Sequence, residues 1–169
     1  MRLLWIGAFA FLCSCGDDDG MERDAGSADA SADVTVSEGR VEIGTGLTDF
    51  AEVAEGGTLE LVNGAQGGWH VDIATQLYGL EPMDLNLRMQ GFDVETGESR
   101  TIVVERILTR RRVRDEGDHF LRLGDQLVFM VVDGSEVVGR SIRVEVEATP
   151  MGGTTVRAEK TIQIVDDVP

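Results

Sequence analysis

The chain has 169 residues, with 31 Asp or Glu against 15 Lys or Arg, so its formal net charge is -16. This charge excludes a nucleic-acid-binding protein, because phosphate backbones demand Lys and Arg, and it opposes adhesion of the protein surface to anionic lipid. Hydrophobic residues make up 42% of the chain and aromatic residues only 5%. We therefore expect one folded domain whose core consists of Val, Leu and Ile.

The N-terminal 14 residues predict a bacterial lipoprotein signal peptide. Met1-Arg2 supplies the positive charge, and Leu3 to Leu12 is an apolar stretch of about ten residues. A helix needs roughly 20 apolar residues to span a bilayer, so this stretch has the length of a signal-peptide core. It ends in Leu12-Cys13-Ser14-Cys15, which resembles the lipobox of bacterial lipoproteins. The resemblance implies that diacylglycerol is attached to Cys15 and that cleavage precedes this residue.

Residues 15–33 predict the lipidated Cys15 followed by a disordered acidic tether. The stretch 16–33 holds seven acidic residues against one basic residue, Arg23, and almost nothing apolar larger than Ala. Such a sequence cannot bury enough surface to offset its chain entropy. Cation binding at Asp17-Asp18-Asp19 is the alternative, but we favour a solvated tether. Both cysteines, Cys13 and Cys15, precede the domain, so the domain has neither a disulfide nor a thiol nucleophile.

From Val34 to Pro169 the sequence predicts an all-β domain. Apolar and polar residues alternate with a period of two, which is typical of strands with one buried face. Glycine pairs separate the runs, and Asp133-Gly134 predicts a tight hairpin turn. We expect about eight strands, near residues 40–44, 58–63, 69–79, 83–92, 99–110, 126–132, 136–148 and 154–165. Short strands with frequent turns predict an immunoglobulin-like antiparallel β-sandwich over 34–169.

One short segment has helical spacing, with Leu47, Phe50, Ala51 and Ala54 at i, i+3, i+4 and i+7. Because it is short and two glycines follow it, we interpret it as a loop or a single turn in which Phe50 packs against the sandwich.

The segment Gly64-Ala65-Gln66-Gly67-Gly68-Trp69-His70 follows a frame of Gly44-Thr45-Gly46, Phe50, Gly57, Leu59 and Leu61. It resembles a group of uncharacterised lipoproteins of the myxobacterial type. Those proteins join a lipobox and an Asp/Ala/Ser-rich tether to a small β domain carrying a Gly-x-Gln-Gly-Gly-aromatic-His segment. The resemblance covers about a quarter of the chain and is looser at Ala51-Glu52-Val53. It implies location and fold, since no activity is established for the group.

The same segment supplies the candidate ligand-binding residues, which are Gln66, Gly67, Gly68, Trp69, His70 and Asp72. Alternation places His70 on the same face as Asp72 and opposite to Trp69 and Val71. We favour a structural role in which His70 and Gln66 hydrogen-bond the loop backbone. The alternative is a copper or zinc site, which needs two or three further ligands. Its further candidates are His119, Asp118, Asp125, Met83 and Met89, although the spacing matches no HxxxH, HEXXH or CxxC motif.

Two charged regions permit ion binding. Five arginines, Arg106, Arg110, Arg111, Arg112 and Arg114, could form an anion site, since guanidinium groups suit carboxylate and phosphate. We favour a solvated hairpin whose charge is balanced by Asp115, Glu116 and Asp118. Calcium could bind at Asp115-Glu116-Gly117-Asp118 or at Asp166-Asp167, although neither stretch has EF-hand spacing.

The sequence favours a non-catalytic envelope lipoprotein that binds protein or glycan. It contains no G-x-S-x-G motif, no phosphate-cradling glycine loop and no catalytic cysteine in the domain. We expect no cofactor, and we expect attachment to the lipid bilayer through Cys15. The alternatives are metal binding through His70 and, least favoured, a hydrolase with a carboxylate pair. Position 16 is Gly, not the Asp that retains enteric lipoproteins at the inner membrane, so the outer membrane is favoured. The sequence does not distinguish its periplasmic face from its surface face.

Overall fold

The computed structural model describes residues 39–65 and 67–166. The predicted signal peptide (1–14), Cys15, the tether (15–33), Gln66 and Asp167 lie outside these residues. The prediction of an all-β domain is confirmed in its main feature, since the described part of the chain is mostly strand and has no α-helix. Nor does this part of the chain hold any helix with the length and hydrophobicity needed to cross a bilayer.

The structure has ten strands and two 3-10 turns in its described ranges. The strands are β1 (Arg40–Thr45), β2 (Ala51–Glu52), β3 (Gly57–Asn63), β4 (Trp69–Tyr78), β5 (Met83–Asp93), β6 (Val104–Thr109), β7 (Arg114–Asp115), β8 (His119–Val128), β9 (Ser141–Thr149) and β10 (Val156–Asp166). The 3-10 turns are Arg110–Arg112 and Gly134–Glu136. Eight of the strands correspond to the eight expected, and β2 and β7 are additional two-residue strands.

The strands form one curled, mixed sheet. Its order is β2-β1-β4-β3-β10-β9-β5-β6, and β8 pairs with both β4 and β7. The strand β3 joins the two halves, because it pairs antiparallel with β4 at Val62 and His70 and parallel with β10 from Gly57 to Leu61. The expectation of purely antiparallel pairing is therefore wrong. Alternation shows which face of a strand is buried, but it does not show which strand lies beside it.

A second connection between the halves lies after β5, where residues 99–102 contact both β5 and the end of β8. The N–H of Arg100 donates to the carbonyl of Gly91 at 2.9 Å, and the N–H of Met130 donates to the carbonyl of Arg100 at 2.8 Å. The N–H of Ile102 donates to the carbonyl of Val128 at 3.0 Å. These hydrogen bonds hold the sheet in its curled form.

The hydrophobic core lies inside the curl and consists of aliphatic side chains, as the composition predicts. Its fully buried members include Val71, Ile73, Leu77, Leu85, Leu87, Met89, Leu108, Leu127, Ile142, Val144, Val146, Ile162 and Ile164. Burial of each such side chain stabilises the fold by about 1.5–3 kcal/mol before entropy is counted. Trp69 packs against this core at its rim.

The turn at Asp133 corrects another expectation. Instead of a tight hairpin, Asp133 begins the turn Gly134–Glu136 and forms a capping box with it. Its carboxylate accepts the Ser135 N–H at 2.9 Å, and Glu136 Oε1 accepts the Asp133 N–H at 3.1 Å. The sequence Asp-Gly-Ser-Glu fits both turn types, and the reciprocal side-chain hydrogen bonds stabilise the capping box. Strand β8 accordingly pairs with β4 rather than with β9.

The segment before β3 is a loop with one short strand, as interpreted. The Phe50 ring lies on Gly44, where a Cβ atom would come within 2.5 Å of the ring. Glycine at this position therefore gives Phe50 its place against β1.

Candidate functional site

The glycine-rich loop of residues 64–68 turns the chain from β3 into β4. The Gly64 N–H donates to the Gly68 carbonyl and the Gly67 N–H donates to the Gly64 carbonyl, both at 2.9 Å. Gly67 and Gly68 have φ angles of 81° and 101°, a region that residues with a Cβ atom rarely adopt. The loop thus closes on its own backbone, and Gln66 lies outside the described residues.

Trp69, the first residue of β4, is half-buried at one end of the domain. Its Nε1 donates to the Val132 carbonyl at 3.4 Å. The buried Gly134 lies against its ring, since a Cβ atom there would come within 2.8 Å of Trp69 Cδ2. The indole therefore packs on the Gly134–Glu136 turn as well as on the core.

A cleft of about 270 Å³ opens beside Trp69. It is lined by Leu61, Trp69, Asp133, Gly134, Ser135, Val138 and Asp166, and we call it the Trp69 cleft. Hydrogen bonds from the Ser135 backbone and side chain hold the pKa of Asp133 below its usual value. The cleft thus combines an aromatic and aliphatic wall with an ionised carboxylate.

Several apolar side chains near this end of the domain are exposed. Thr101 and Phe129 face each other and are buried, so the adjacent Ile102 and Met130 point away from the core. Met130 is 56% exposed and Val132, whose carbonyl accepts the Trp69 hydrogen bond, is 96% exposed. Four exposed apolar side chains of this region are called the apolar rim: Ile102, Met130, Val132 and Val138, of which Val138 lines the cleft. Because Val128 lies opposite His70 in the β4–β8 pair, Ile102 and Met130 lie on the His70 face of the sheet, opposite to the Trp69 ring.

His70 lies on the opposite face of β4 from Trp69 and is only 6% exposed. Gly64 lies over its ring, where a Cβ atom would come within 3.5 Å of Cε1. The Nε2 atom is 3.9 Å from Asp72 Oδ1, which is longer than a hydrogen bond. That carboxylate oxygen is buried and has no hydrogen-bond partner among the described residues. His70 and Asp72 are therefore neighbours without a hydrogen bond between them. The N–H groups of Gly64 and Gly67 donate to carbonyl groups of the loop itself.

The structure does not bring the proposed metal ligands together. His70 is opposite Val128 in the β4–β8 pair, whereas His119 is opposite Tyr78, eight residues further along β4. This separation is roughly 25 Å at the rise of a strand. Met89 is buried in the core and Met83 is exposed. Within residues 39–65 and 67–166, no group of three or more His, Cys, Asp or Glu side chains could hold a metal ion.

The arginine cluster is balanced mainly by acidic neighbours. Arg110 lies 2.7 Å from Glu81, and Arg114 contacts both Glu116 and Asp49. The Arg110 guanidinium also lies 3.8 Å from Asp115. These ion pairs support the interpretation of the segment as a solvated hairpin.

Of the two suggested calcium stretches, the first has its carboxylates engaged in other contacts. Asp115 accepts the Gly117 N–H at 2.9 Å, and Asp118 contacts His119. Asp166 instead lines the Trp69 cleft, and Asp167 lies outside the described residues.

A buried ion cluster centred on Asp125 in β8 was not predicted from the sequence. Both carboxylate oxygens accept from Arg122, at 2.6 and 2.8 Å, and Arg106 Nε lies 3.5 Å away. Asp125 is buried, and these arginines come from β8 and β6. Charged residues within β8 also explain why the alternation pattern located only the last three residues of this strand, 126–128.

Asp93 forms a second buried cluster, at the end of β5. Its Oδ1 accepts the N–H groups of Glu95 and Thr96 at 3.0 and 3.1 Å, and Arg140 and Arg100 lie 3.1 and 3.5 Å from Oδ2. Burial opposes ionisation, but these hydrogen bonds and positive charges outweigh it and lower the pKa of Asp93. Arg140 Nε also donates to the Glu136 carbonyl at 2.8 Å, which connects Asp93 to the turn beneath Trp69.

A chain of polar side chains, also missed, crosses three strands at the other end of β4. His119 Nδ1 lies 2.7 Å from Asp118, and its Nε2 lies 3.2 Å from the Gln76 amide nitrogen. The Tyr78 hydroxyl donates to Gln76 Oε1 at 3.0 Å and lies 3.5 Å from Glu42. We call these residues the His119 chain. Since the Gln76 amide nitrogen faces Nε2, the imidazole accepts there and donates from Nδ1 to Asp118.

The environment of Tyr78 also shifts its ionisation. The Tyr78 ring stacks on the His119 ring, with 4.8 Å between the two ring centroids. The Arg40 guanidinium lies over the Tyr78 ring, 4.0 Å from the centroid of that ring. Burial, followed by the charge of Glu42, raises the pKa of the Tyr78 hydroxyl above its usual value of 10.0, and Arg40 partly opposes this.

Comparisons with protein-family models, with curated proteins and with solved structures found no match to this chain.

Proposed function

We propose that this chain is a lipid-anchored envelope protein whose domain binds a partner protein and catalyses no reaction. The proposal rests on the exposed side chains of the apolar rim, which lie at the same end of the domain as the Trp69 cleft. Exposed apolar side chains that cluster, rather than occur singly, mark interaction surfaces in soluble domains. Met and Trp are also enriched in protein interfaces, where a few such residues dominate the binding energy.

A protein partner accounts for this surface better than a glycan does. The rim presents Ile102, Met130 and Val132, which are aliphatic side chains without hydrogen-bonding groups. A sugar needs several polar side chains around its hydroxyl groups, whereas an apolar side chain of a protein needs only a matching apolar surface. Glycan binding is kept as an outcome of the experiment below.

The envelope location rests on the first residues of the chain. Leu12, Ser14 and Cys15 fit the lipobox, and the acidic stretch after them suits a spacer between lipid and domain. Gly16 after Cys15 favours the outer membrane. Replacement of Cys15 by Ser should leave an uncleaved precursor without an acyl group, whereas an unmodified and uncleaved wild-type N-terminus in a mass spectrum would contradict lipid anchoring.

An immunoglobulin-like packing of the two halves of the curled sheet is part of the proposal. It is supported by a single aliphatic core between the halves, with β4 and β8 on one side and β5 and β9 on the other. An experimental structure tests it, and a closed sheet without two facing layers would contradict it.

The partner-binding surface is tested by cross-linking from position 130 in intact cells, followed by binding measurements with the purified partner. Met130→Asp should weaken binding at least about tenfold, because the interface would bury a charge. Ile107→Asp is the matched control, since Ile107 is 49% exposed on β6 but lies outside the rim. Equal loss in both variants, or binding of glycans alone, would contradict the proposal.

A further inference from the structure

We propose that the Trp69 cleft receives a basic side chain, lysine or arginine, from the partner protein. This inference rests on the proposed function and specifies the chemistry of its partner.

The shape and lining of the cleft suit a long cationic side chain. Trp69 and Val138 supply an apolar wall, and Asp133 and Asp166 supply carboxylates. Lysine and arginine bury their methylene stems along apolar surface and direct their charge to an acceptor. Arginine and lysine also bind favourably to indole rings and to carboxylates. The volume of about 270 Å³ accommodates one such side chain.

The charges of the cleft are open to a cation from outside. Its lining, among the described residues, contains two carboxylates and no Lys, Arg or His. The nearest arginine in the sequence, Arg140, is occupied by Asp93 at 3.1 Å and by the Glu136 carbonyl at 2.8 Å. Hydrogen bonds from Ser135 keep Asp133 ionised. The chain itself therefore leaves the negative charge of the cleft for a partner to neutralise.

The charge of the whole chain adds to this preference. A net charge of -16 repels acidic partners and attracts basic ones over a distance of about one Debye length. The apolar rim then contributes contact area, and the cleft selects the basic group.

The test is a titration of the full chain with three small probes. Binding is monitored by NMR through the indole N–H resonance of Trp69 and the amide resonance of Ser135. N-acetyl-lysine amide and N-acetyl-arginine amide carry the charge, and N-acetyl-norleucine amide has the same stem without it. We expect both basic probes to shift both resonances in a saturable manner that weakens with salt, and norleucine to shift them little. Asp166→Asn should raise the Kd about fivefold, as expected for one carboxylate–cation contact.

Asp84→Asn is the matched control, because it removes the same charge from an exposed site at the other end of β5 from Asp93. Asn tolerates the φ of 54° found at this position. An equal effect of the two substitutions, or equal shifts with norleucine, would overturn the inference. If the basic probes leave Trp69 unmoved while Met130→Asp still abolishes partner binding, the proposed function stands and the basic side chain is excluded.

Discussion

The two ends of β4 differ in how they are held together. At the Trp69 end, an indole packs on Leu61 and Gly134, with apolar side chains exposed around it. At the Tyr78 end, polar side chains from β1, β4 and β8 satisfy one another through hydrogen bonds. The first end therefore exposes apolar side chains and negative charge. At the second end the polar groups of Gln76, Tyr78 and His119 hydrogen-bond one another. The contrast supports the proposal that a partner binds at the Trp69 end.

The largest effect is expected from Trp69→Ala, which removes the side chain around which the first end is built. Loss of a buried aromatic residue costs about 3–5 kcal/mol. Because Trp69 is half-buried, we expect the lower end of this range, about 3 kcal/mol, in urea unfolding. Tyr78→Phe is the control at the other end and should cost about 1 kcal/mol, for one hydrogen bond. Equal costs at both ends would contradict the comparison.

The second prediction concerns Asp93, which supports the Trp69 end through Arg140. Asp93→Asn should lower the free energy of unfolding by about 2 kcal/mol at pH 7, because it removes the charge that faces Arg140 and Arg100 and leaves only a neutral acceptor for the backbone N–H groups. The pKa of Asp93 is lowered in the folded protein, so its contribution is complete above the unfolded value of about 3.9 and is lost as pH falls through the folded value.

The pH dependence gives the measurement for Asp93. The stability difference between wild type and Asp93→Asn should be constant near neutral pH and should narrow below about pH 4. This stability difference is measured by thermal unfolding at pH values from 7 to 2.5. Asp84→Asn, at an exposed position, is the control. A difference that stays constant down to the lowest pH would show that Asp93 acts through packing alone.

The sequence predicted local features well and long-range ones poorly. Alternation located most strands, and Gly67, Gly68 and Trp69 identified one end of β4, since these signals lie within a few residues. The pairing of β3 with β10 and the ion cluster at Asp125 join residues far apart in the chain. Asp125 sits on a strand whose charges mask its periodicity. The His119 chain needs the register of three strands, which no local pattern specifies.

The third prediction separates the two interpretations of His70. Its ring is buried beneath Gly64 and has Asp72 as its nearest charged neighbour, so His70→Ala should cost about 1 kcal/mol through lost packing. Zinc and copper titrations of wild type and variant, alongside melting curves without metal, test this role. Micromolar metal binding that disappears in the variant, with unchanged stability of the metal-free protein, would establish the metal site instead.

The smallest effect is the ionisation of Tyr78, and it tests the polar end directly. The chain has one tyrosine, so tyrosinate absorbance reports this residue alone. Its midpoint should lie above 10.0, first because burial disfavours the anion and then because Glu42 is close. Since the folded pKa is raised, the stabilisation linked to Tyr78 is complete below its unfolded pKa and is lost as pH rises through the folded value.

Two substitutions should move that midpoint in opposite directions. Glu42→Gln removes a negative neighbour and should lower the pKa of Tyr78, while Arg40→Gln removes the guanidinium over the ring and should raise it. Circular dichroism at each pH confirms that the chain is still folded. If neither substitution moves the midpoint, Tyr78 is not coupled to β1 and the His119 chain ends at Gln76. The opposite shifts would show that β1 and β4 are coupled at the polar end through Tyr78.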